Sequence, residues 1–162
     1  MLRRSWAGMM SCIDYRLGQR GRRKVGTWGT GTFDNDQAVD WTYSLEGKTD
    51  LSHVEATIDR VLSVGDSYLE ADAAQEAIAA AEAVARLRGH FGTRNAYTKT
   101  IDEWVAAMDL RPSQHLISKA KDALARIQQE PSELLEGWEG SADAEAWRQT
   151  LSELDSRIEA DK

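Results

Sequence analysis

Three aspartates near the start of the chain are the residues whose types and spacing could do chemistry. Asp34 and Asp36 flank Asn35. Asp40 follows Asp36 by four residues, so the two share one face of a helix. Carboxylate and amide oxygens grouped in this way could hold Mg²⁺ or Ca²⁺, or contact a small ligand. The sequence does not follow the calcium-loop pattern of alternate aspartates before a glycine, because Ala38 interrupts it.

The same aspartates also have a structural interpretation. Asp34 is a suitable helix N-cap, and Gln37 three residues later fits a capping box. Asp34 and Asp36 would place negative charge at the positive end of the helix dipole. A buried hydrogen bond to the preceding glycines would complete this role. We therefore expect no cofactor, no catalytic residue and no metal, and we keep four candidate ligand-binding residues here: Asp34, Asn35, Asp36 and Asp40.

A glycine-rich segment and the helix after it must position these residues. Gly26, Gly29 and Gly31 alternate with threonines and with two large aromatic residues, Trp28 and Phe33. Glycines at this density are typical of backbone that approaches a neighbour closely. Because large aromatic side chains are costly to leave in water, we expect Trp28 and Phe33 to be inserted into the core. Trp28 is also a candidate ligand-binding residue, since tryptophan is a frequent binding anchor.

Residues 28–41 read Trp-Gly-x-Gly-x-Phe-Asp-Asn-Asp-x-Ala-x-Asp-Trp. This opening resembles that of a family of bacterial proteins described as domain of unknown function 4259. Tyr68–Ala71, the alanine-rich run Ala77–Ala85 and Glu145–Arg148 agree with it, so the resemblance covers about residues 25–158. The family description carries no activity. The resemblance therefore implies a fold and its boundaries rather than a function.

Apolar residues that recur every three and four positions predict an all-α protein. No stretch alternates apolar and polar residues for long enough to predict a strand. We expect a single-domain bundle of about six helices over residues 25–160, with a glycine- and aromatic-rich extended N-terminal lead-in. The alanine-rich third helix should be the central buried one, because small residues allow close approach. We predict helices over about 35–46, 52–65, 70–88, 100–108 and 113–129, a short one around 134–138, and a last one over 142–159.

Residues 1–24 form a basic extension with a charge of +6, since seven Arg and Lys residues stand against Asp14 alone. An export or lipoprotein signal is one interpretation, although its apolar region is too short. A disordered basic arm that touches anionic surfaces is a second. We favour a third, in which Val25 is the natural start and the extension is a start-site artefact. The family usually opens Met-Gly-x-Trp-Gly, and valine codons can serve as bacterial starts.

Charge and composition limit the kinds of partner that the protein can have. The net charge is −7, so the chain after residue 24 carries −13. An acidic body argues against nucleic acid and is compatible with a basic protein partner. No apolar run approaches the ~20 residues of a membrane span, and we expect a cytoplasmic protein without a membrane. Cys12 is the single cysteine, which excludes an intramolecular disulfide framework.

Arg148 is the last candidate ligand-binding residue. In one interpretation it contacts an anion, and in the other it pairs with a carboxylate on a neighbouring helix while Trp147 enters the core. With no assembled catalytic set, we expect a non-enzymatic module that binds a protein partner in a regulatory or immunity-type role. The alternative is a metal- or small-ligand-binding enzyme domain that uses the face formed by Asp34, Asp36 and Asp40. Oligomeric state is left open.

Overall fold

The computed structural model describes residues 27–161, and the expectations about residues 1–24 lie outside this range. Within it the chain forms seven α-helices and no strand, which confirms the predicted all-α helical bundle. The domain boundary at residues 25–160 stays a prediction. The helices are α1 (Asp36–Tyr43), α2 (Ser52–Leu62), α3 (Ala71–Leu87), α4 (Lys99–Ala107), α5 (Gln114–Ile127), α6 (Glu133–Trp138) and α7 (Ala144–Glu159), and a 3₁₀ turn over Ala96–Thr98 precedes α4.

Helix α3 is the centre of the bundle, as its composition predicts. Fourteen of its seventeen residues are buried, and it packs against each of the other six helices. Alanine is the reason such packing is possible, because a methyl side chain lets neighbouring backbones approach on every side. Ala74, Ala77 and Ala81 are fully buried at these contacts.

The helices around α3 bury the apolar stripes that their sequences predict. On α5 the stripe runs from Leu116 to Ile127, and on α7 it runs from Trp147 to Ile158. Burial of such side chains contributes about 1.5–3 kcal/mol each, which is the main stabilisation of a bundle of this kind. Over the described residues, no helix is both long enough and apolar enough to cross a membrane.

The N-terminus of α1 differs from the prediction. The N-cap is Asn35 rather than Asp34, and its side-chain oxygen accepts a 2.7 Å hydrogen bond from the backbone N–H of Ala38. The predicted capping box is therefore wrong, and Gln37 donates instead to Glu76 on α3. The physical reason is that the carboxylate of Asp34 turns back toward the glycines before it.

The two aromatic residues of the lead-in differ in how far they are buried. Phe33 is 5% exposed and belongs to the core, as predicted. Trp28 is 49% exposed, so the prediction of a core position for it is wrong. Its ring lies instead against the ring of Tyr97, with centroids 5.2 Å apart. The core volume beside the lead-in is filled by Phe33, and the indole is left at the surface.

Candidate functional site

Residues 27–35 form a closed loop, which we call the glycine loop. An isolated antiparallel bridge joins Thr27 to Asn35, and the backbone N–H of Trp28 donates to the carbonyl of Asp34 at 2.9 Å. Inside the loop, Oδ2 of Asp34 accepts a 2.9 Å hydrogen bond from the N–H of Gly31. A Cβ atom added at Gly31 would lie 2.6 Å from that oxygen. The loop is thus wrapped around the carboxylate of Asp34, which explains the glycine at this position.

A polar stripe on α3 receives the glycine loop. Gln75, Glu82 and Arg86 are each at least 98% buried although α3 is otherwise mostly alanine. The Gln75 amide donates to the hydroxyl of Thr27, and the hydroxyl of Thr32 donates to Glu82, both at 3.4 Å. Gln75 and Glu82 thus provide the polar contacts that seat the loop on this mostly alanine helix, and the guanidinium of Arg86 lies 5.7 Å from the ring centroid of Phe33 in the loop.

Glu82 is the centre of a buried charge network. It accepts a 3.0 Å hydrogen bond from Nε of Arg86 and bonds of 2.9 and 2.8 Å from Nη1 and Nη2 of Arg157. Arg86 also donates to Asp102 and to the carbonyl of Thr93. Burial acts to lower the pKa of Arg157, but the hydrogen bonds and charge of Glu82 outweigh it, and the pKa is raised above its ordinary value. The guanidinium of Arg157 therefore stays charged inside the fold.

A cleft of about 300 Å³ lies between the glycine loop, α3, the segment before α4, and α7. Its wall is dominated by hydroxyl, carboxylate and guanidinium groups, so it suits a polar guest rather than an apolar one. The residues that line it are Thr30, Gly31, Thr32, Phe33, Asp34, Glu82, Arg86, Thr93, Asn95, Thr98, Thr150, Glu153 and Arg157.

Two exposed aromatic side chains belong to the chain segments that line this cleft. Trp28 precedes the lining residue Thr30 by two positions, and Tyr97 stands between Asn95 and Thr98, which both line the cleft. Trp28 and Tyr97 are 49% and 48% exposed, and their rings meet at an interplanar angle of 47°. The pair forms a solvent-facing aromatic surface, which we call the aromatic rim.

The structure separates the predicted site residues. Asp34 lines the cleft, whereas Asp36 and Asp40 are exposed and line neither this cleft nor a small cavity of about 20 Å³ that the glycine loop also lines. Asn35 lines that small cavity, together with Trp138 and Trp147 among others. Asp36 and Asp40 keep their i, i+4 spacing on α1, and neither joins Asp34 in lining either of these two cavities.

Two further observations bear on the sequence candidates. Arg148 lies outside both cavities, and its guanidinium faces Glu139 at 3.9 Å with both side chains nearly half exposed. Trp147 beside it is buried, as predicted. Within residues 27–161, no group of three or more His, Cys, Asp or Glu residues is placed to hold a metal ion.

Sequence reasoning missed three charged residues that line the cleft. Glu82, Arg86 and Arg157 carry the buried charge of the site, and none was a candidate. A signal for the first two was present: Gln75, Glu82 and Arg86 are spaced by seven and four residues, so they share one face of a helix that is otherwise mostly alanine. A lone polar stripe on a central helix indicates a polar partner within the fold.

A family model described as domain of unknown function (DUF4259) matches residues 26–150. The chain belongs to this family. The match confirms the resemblance seen in the opening motif, and its description names no activity. No curated protein and no solved structure matches the chain. The glycine loop and the polar stripe of α3 lie within the DUF4259 match, while Arg157 follows its last residue.

Proposed function

We propose that this DUF4259 chain is a non-enzymatic, cytoplasmic module that binds another protein in a regulatory or immunity-type role. The observation that carries the proposal is the aromatic rim of Trp28 and Tyr97. Half of each side chain faces solvent, yet the two rings are held in a defined arrangement 5.2 Å apart. Large aromatic residues held in this way are typical anchors of protein interfaces, because burial of their apolar area on binding is strongly favourable.

The partner that fits this surface is basic. The chain after residue 24 carries a charge of −13, which favours association with a positively charged protein and speeds its approach at low salt. The cleft beside the rim adds carboxylates from Asp34 and Glu153. Polar groups beside exposed aromatic rings are the usual composition of an interface whose core is surrounded by a polar border.

The experiment is an affinity capture from the native cell lysate with three full-length baits. The first is the wild type, the second carries Trp28→Ala and Tyr97→Ala, and the third carries Tyr43→Ala. Tyr43 is a matched control because it is 55% exposed and is not one of the residues that line the cleft. Thermal unfolding of each bait is measured first, to verify that all three are folded.

We expect one or more basic proteins to be captured by the wild type and by Tyr43→Ala but not by the rim variant. Binding of the purified partner, measured by calorimetry, should weaken as salt is raised from about 0.05 to 0.3 M, because exposed charges are then screened. A partner captured equally by all three baits, or none captured by any, would overturn the proposal.

The cleft itself favours a second candidate, a domain that binds a small ligand and acts on it. A volume of about 300 Å³ lies at the lower end of the range for small-molecule sites, and a carboxylate of the predicted aspartate face, that of Asp34, lines it. Thermal-shift screening against a panel of polar metabolites tests this candidate. A hit whose effect disappears in Asp34→Asn and persists in Asp36→Asn would favour it over the protein-binding role.

A further inference from the structure

We propose that the cleft receives one positively charged side chain, lysine or arginine, of the protein partner, with Asp34 as its counter-ion. The proposal rests on the protein-binding function and adds to it the chemistry of the group that is recognised. The aromatic rim would then hold the surface of the partner, while a single basic side chain enters the cleft between the glycine loop and α7.

The charged groups of the cleft and of the layer behind it leave one negative charge unmatched. Three arginines there are each matched with carboxylates. Arg86 pairs with Glu82 and Asp102, Arg94 with Asp102, and Arg157 with Glu82 and Glu153. Four carboxylates thus stand against three guanidinium groups once Asp34 is included. Asp34 forms no ion pair with any of residues 27–161, so one negative charge of the lining is left for a guest.

The hydrogen-bonding groups of the cleft also favour a guest that donates hydrogen bonds. Arg157 uses four of its five N–H donors within the fold, in bonds to Glu82, Glu153 and the carbonyl of His90. Glu82 is saturated, since each of its oxygens accepts two hydrogen bonds. By contrast, Asp34 accepts one bond, from Gly31, through one of its two oxygens. A guest in the cleft therefore finds an available acceptor oxygen on Asp34 more readily than an available guanidinium donor. A guest group with several N–H donors can bond to such an acceptor.

The aromatic rim also suits a positively charged side chain. An ammonium or guanidinium group is attracted to the face of an aromatic ring, and tryptophan gives the strongest attraction. Trp28 and Tyr97 are exposed beside the cleft, so the charged end or the alkyl stem of a long basic side chain would pass along them. Both parts of such a side chain thereby find a complementary surface.

An anionic guest fits less well. It would have to take guanidinium donors away from Glu82, which is 1% exposed and would be left as an uncompensated buried charge. Loss of one partner of a buried ion pair is strongly destabilising. The anion would also lie beside the carboxylate of Asp34, which has no cationic partner among residues 27–161. The lining thus selects the sign of the guest as well as its polarity.

The test uses the full-length protein labelled with ¹⁵N and two probes, Nα-acetyl-arginine amide and Nα-acetyl-citrulline amide. The two probes have nearly the same shape, but the second is neutral. We expect the arginine probe to give saturable shifts at amides of the glycine loop and of residues 93–98, with weak affinity. The citrulline probe should bind at least about fivefold more weakly, because it lacks the charge.

Variants locate the counter-ion. Asp34→Asn keeps an oxygen that can accept from Gly31, and it should weaken the arginine probe about tenfold. Glu153→Gln, at an exposed position on the cleft wall, should weaken it to a smaller extent. Asp36→Asn makes the same change of charge two residues away on an exposed side chain, and it should have no effect.

The outcomes separate this inference from the proposed function. Equal binding of the two probes, equal weakening by Asp34→Asn and Asp36→Asn, or shifts confined to other surfaces would overturn the cleft proposal, even if the rim variant still loses the protein partner. If the arginine probe binds selectively but the rim variant captures the protein partner as well as the wild type does, the cation site would be retained and the proposed protein-binding role would be overturned. A free amine metabolite in place of a partner would be found by the thermal-shift panel.

Discussion

Arg157 on α7 and Glu82 on α3 are 75 residues apart in sequence and form two parallel hydrogen bonds of 2.9 and 2.8 Å. The planar guanidinium matches the planar carboxylate, so the pair fixes orientation as well as distance. It joins the floor of the cleft, which belongs to α3, to the wall that α7 provides. This contact between distant segments is therefore one determinant of the geometry of the cleft.

Substitution Glu82→Gln tests the importance of that contact. The amide keeps the shape of the side chain but leaves the buried Arg86 and the partly buried Arg157 with one counter-charge fewer. We expect a loss of about 3 kcal/mol in the free energy of unfolding, measured by urea denaturation. Glu153→Gln is the control, because this carboxylate is 63% exposed and pairs with the same Arg157. Its cost should stay below about 1 kcal/mol, and equal costs for the two variants would contradict the prediction.

Much of the fold could be predicted because it depends on local patterns. The stripe of α5 from Leu116 to Ile127 and the seam of α7 from Trp147 to Ile158 are buried as expected, since the three-and-four spacing alone decides which face is apolar. Trp28 shows the limit of this reasoning. Its exposure depends on Phe33 filling the nearby core and on Tyr97 arriving from a segment about 70 residues later, and neither is visible in local spacing.

The candidate site was harder to predict, since most of its residues meet only in the folded protein. Asp34 was identified because it lies in a distinctive motif. Glu82 and Arg86 could have been found from their common face on α3. Arg157 could not, because only tertiary packing brings α7 against α3, and many arginines in the chain are equally plausible partners for a buried carboxylate.

The glycine loop should show strong coupling between Gly31 and Asp34. A Cβ atom at residue 31 meets the Asp34 carboxylate, so Gly31→Ala should destabilise the wild type. In an Asp34→Ala background the obstructing atoms are gone, and the same substitution should cost at least about 0.5 kcal/mol less. A double-mutant cycle on the free energy of unfolding measures this difference. If the two substitutions lower the free energy of unfolding additively, the carboxylate of Asp34 is not the reason that residue 31 is a glycine.

Gly92 should resist substitution for a related reason. A Cβ atom there would lie 2.7 Å from Nη2 of Arg157 and 3.0 Å from Oε1 of Glu82, so the paired side chains would have to shift. We expect Gly92→Ala to destabilise the protein by about 1–3 kcal/mol, as overpacking does. Gly137→Ala is the matched control, since nothing lies within 4 Å of its added Cβ and the residue is helical. It should be neutral or should stabilise by up to about 1 kcal/mol, and thermal unfolding of both variants distinguishes the two sites.

His53 should make stability depend on pH below neutrality. Its ring stacks on Trp41 with centroids 5.7 Å apart, and burial, followed by the charge of Lys48, lowers its pKa despite the opposing charge of Glu76. The unfolded chain, with a histidine pKa near about 6.5, therefore takes up a proton before the folded protein does. The contribution to stability is complete above that pH and is lost as pH falls below it.

Urea denaturation from pH 7.5 to 5 measures this loss. The free energy of unfolding should decline less steeply in His53→Gln than in the wild type, with His115→Gln, exposed on α5, as the control. An identical decline in all three proteins would contradict the assignment.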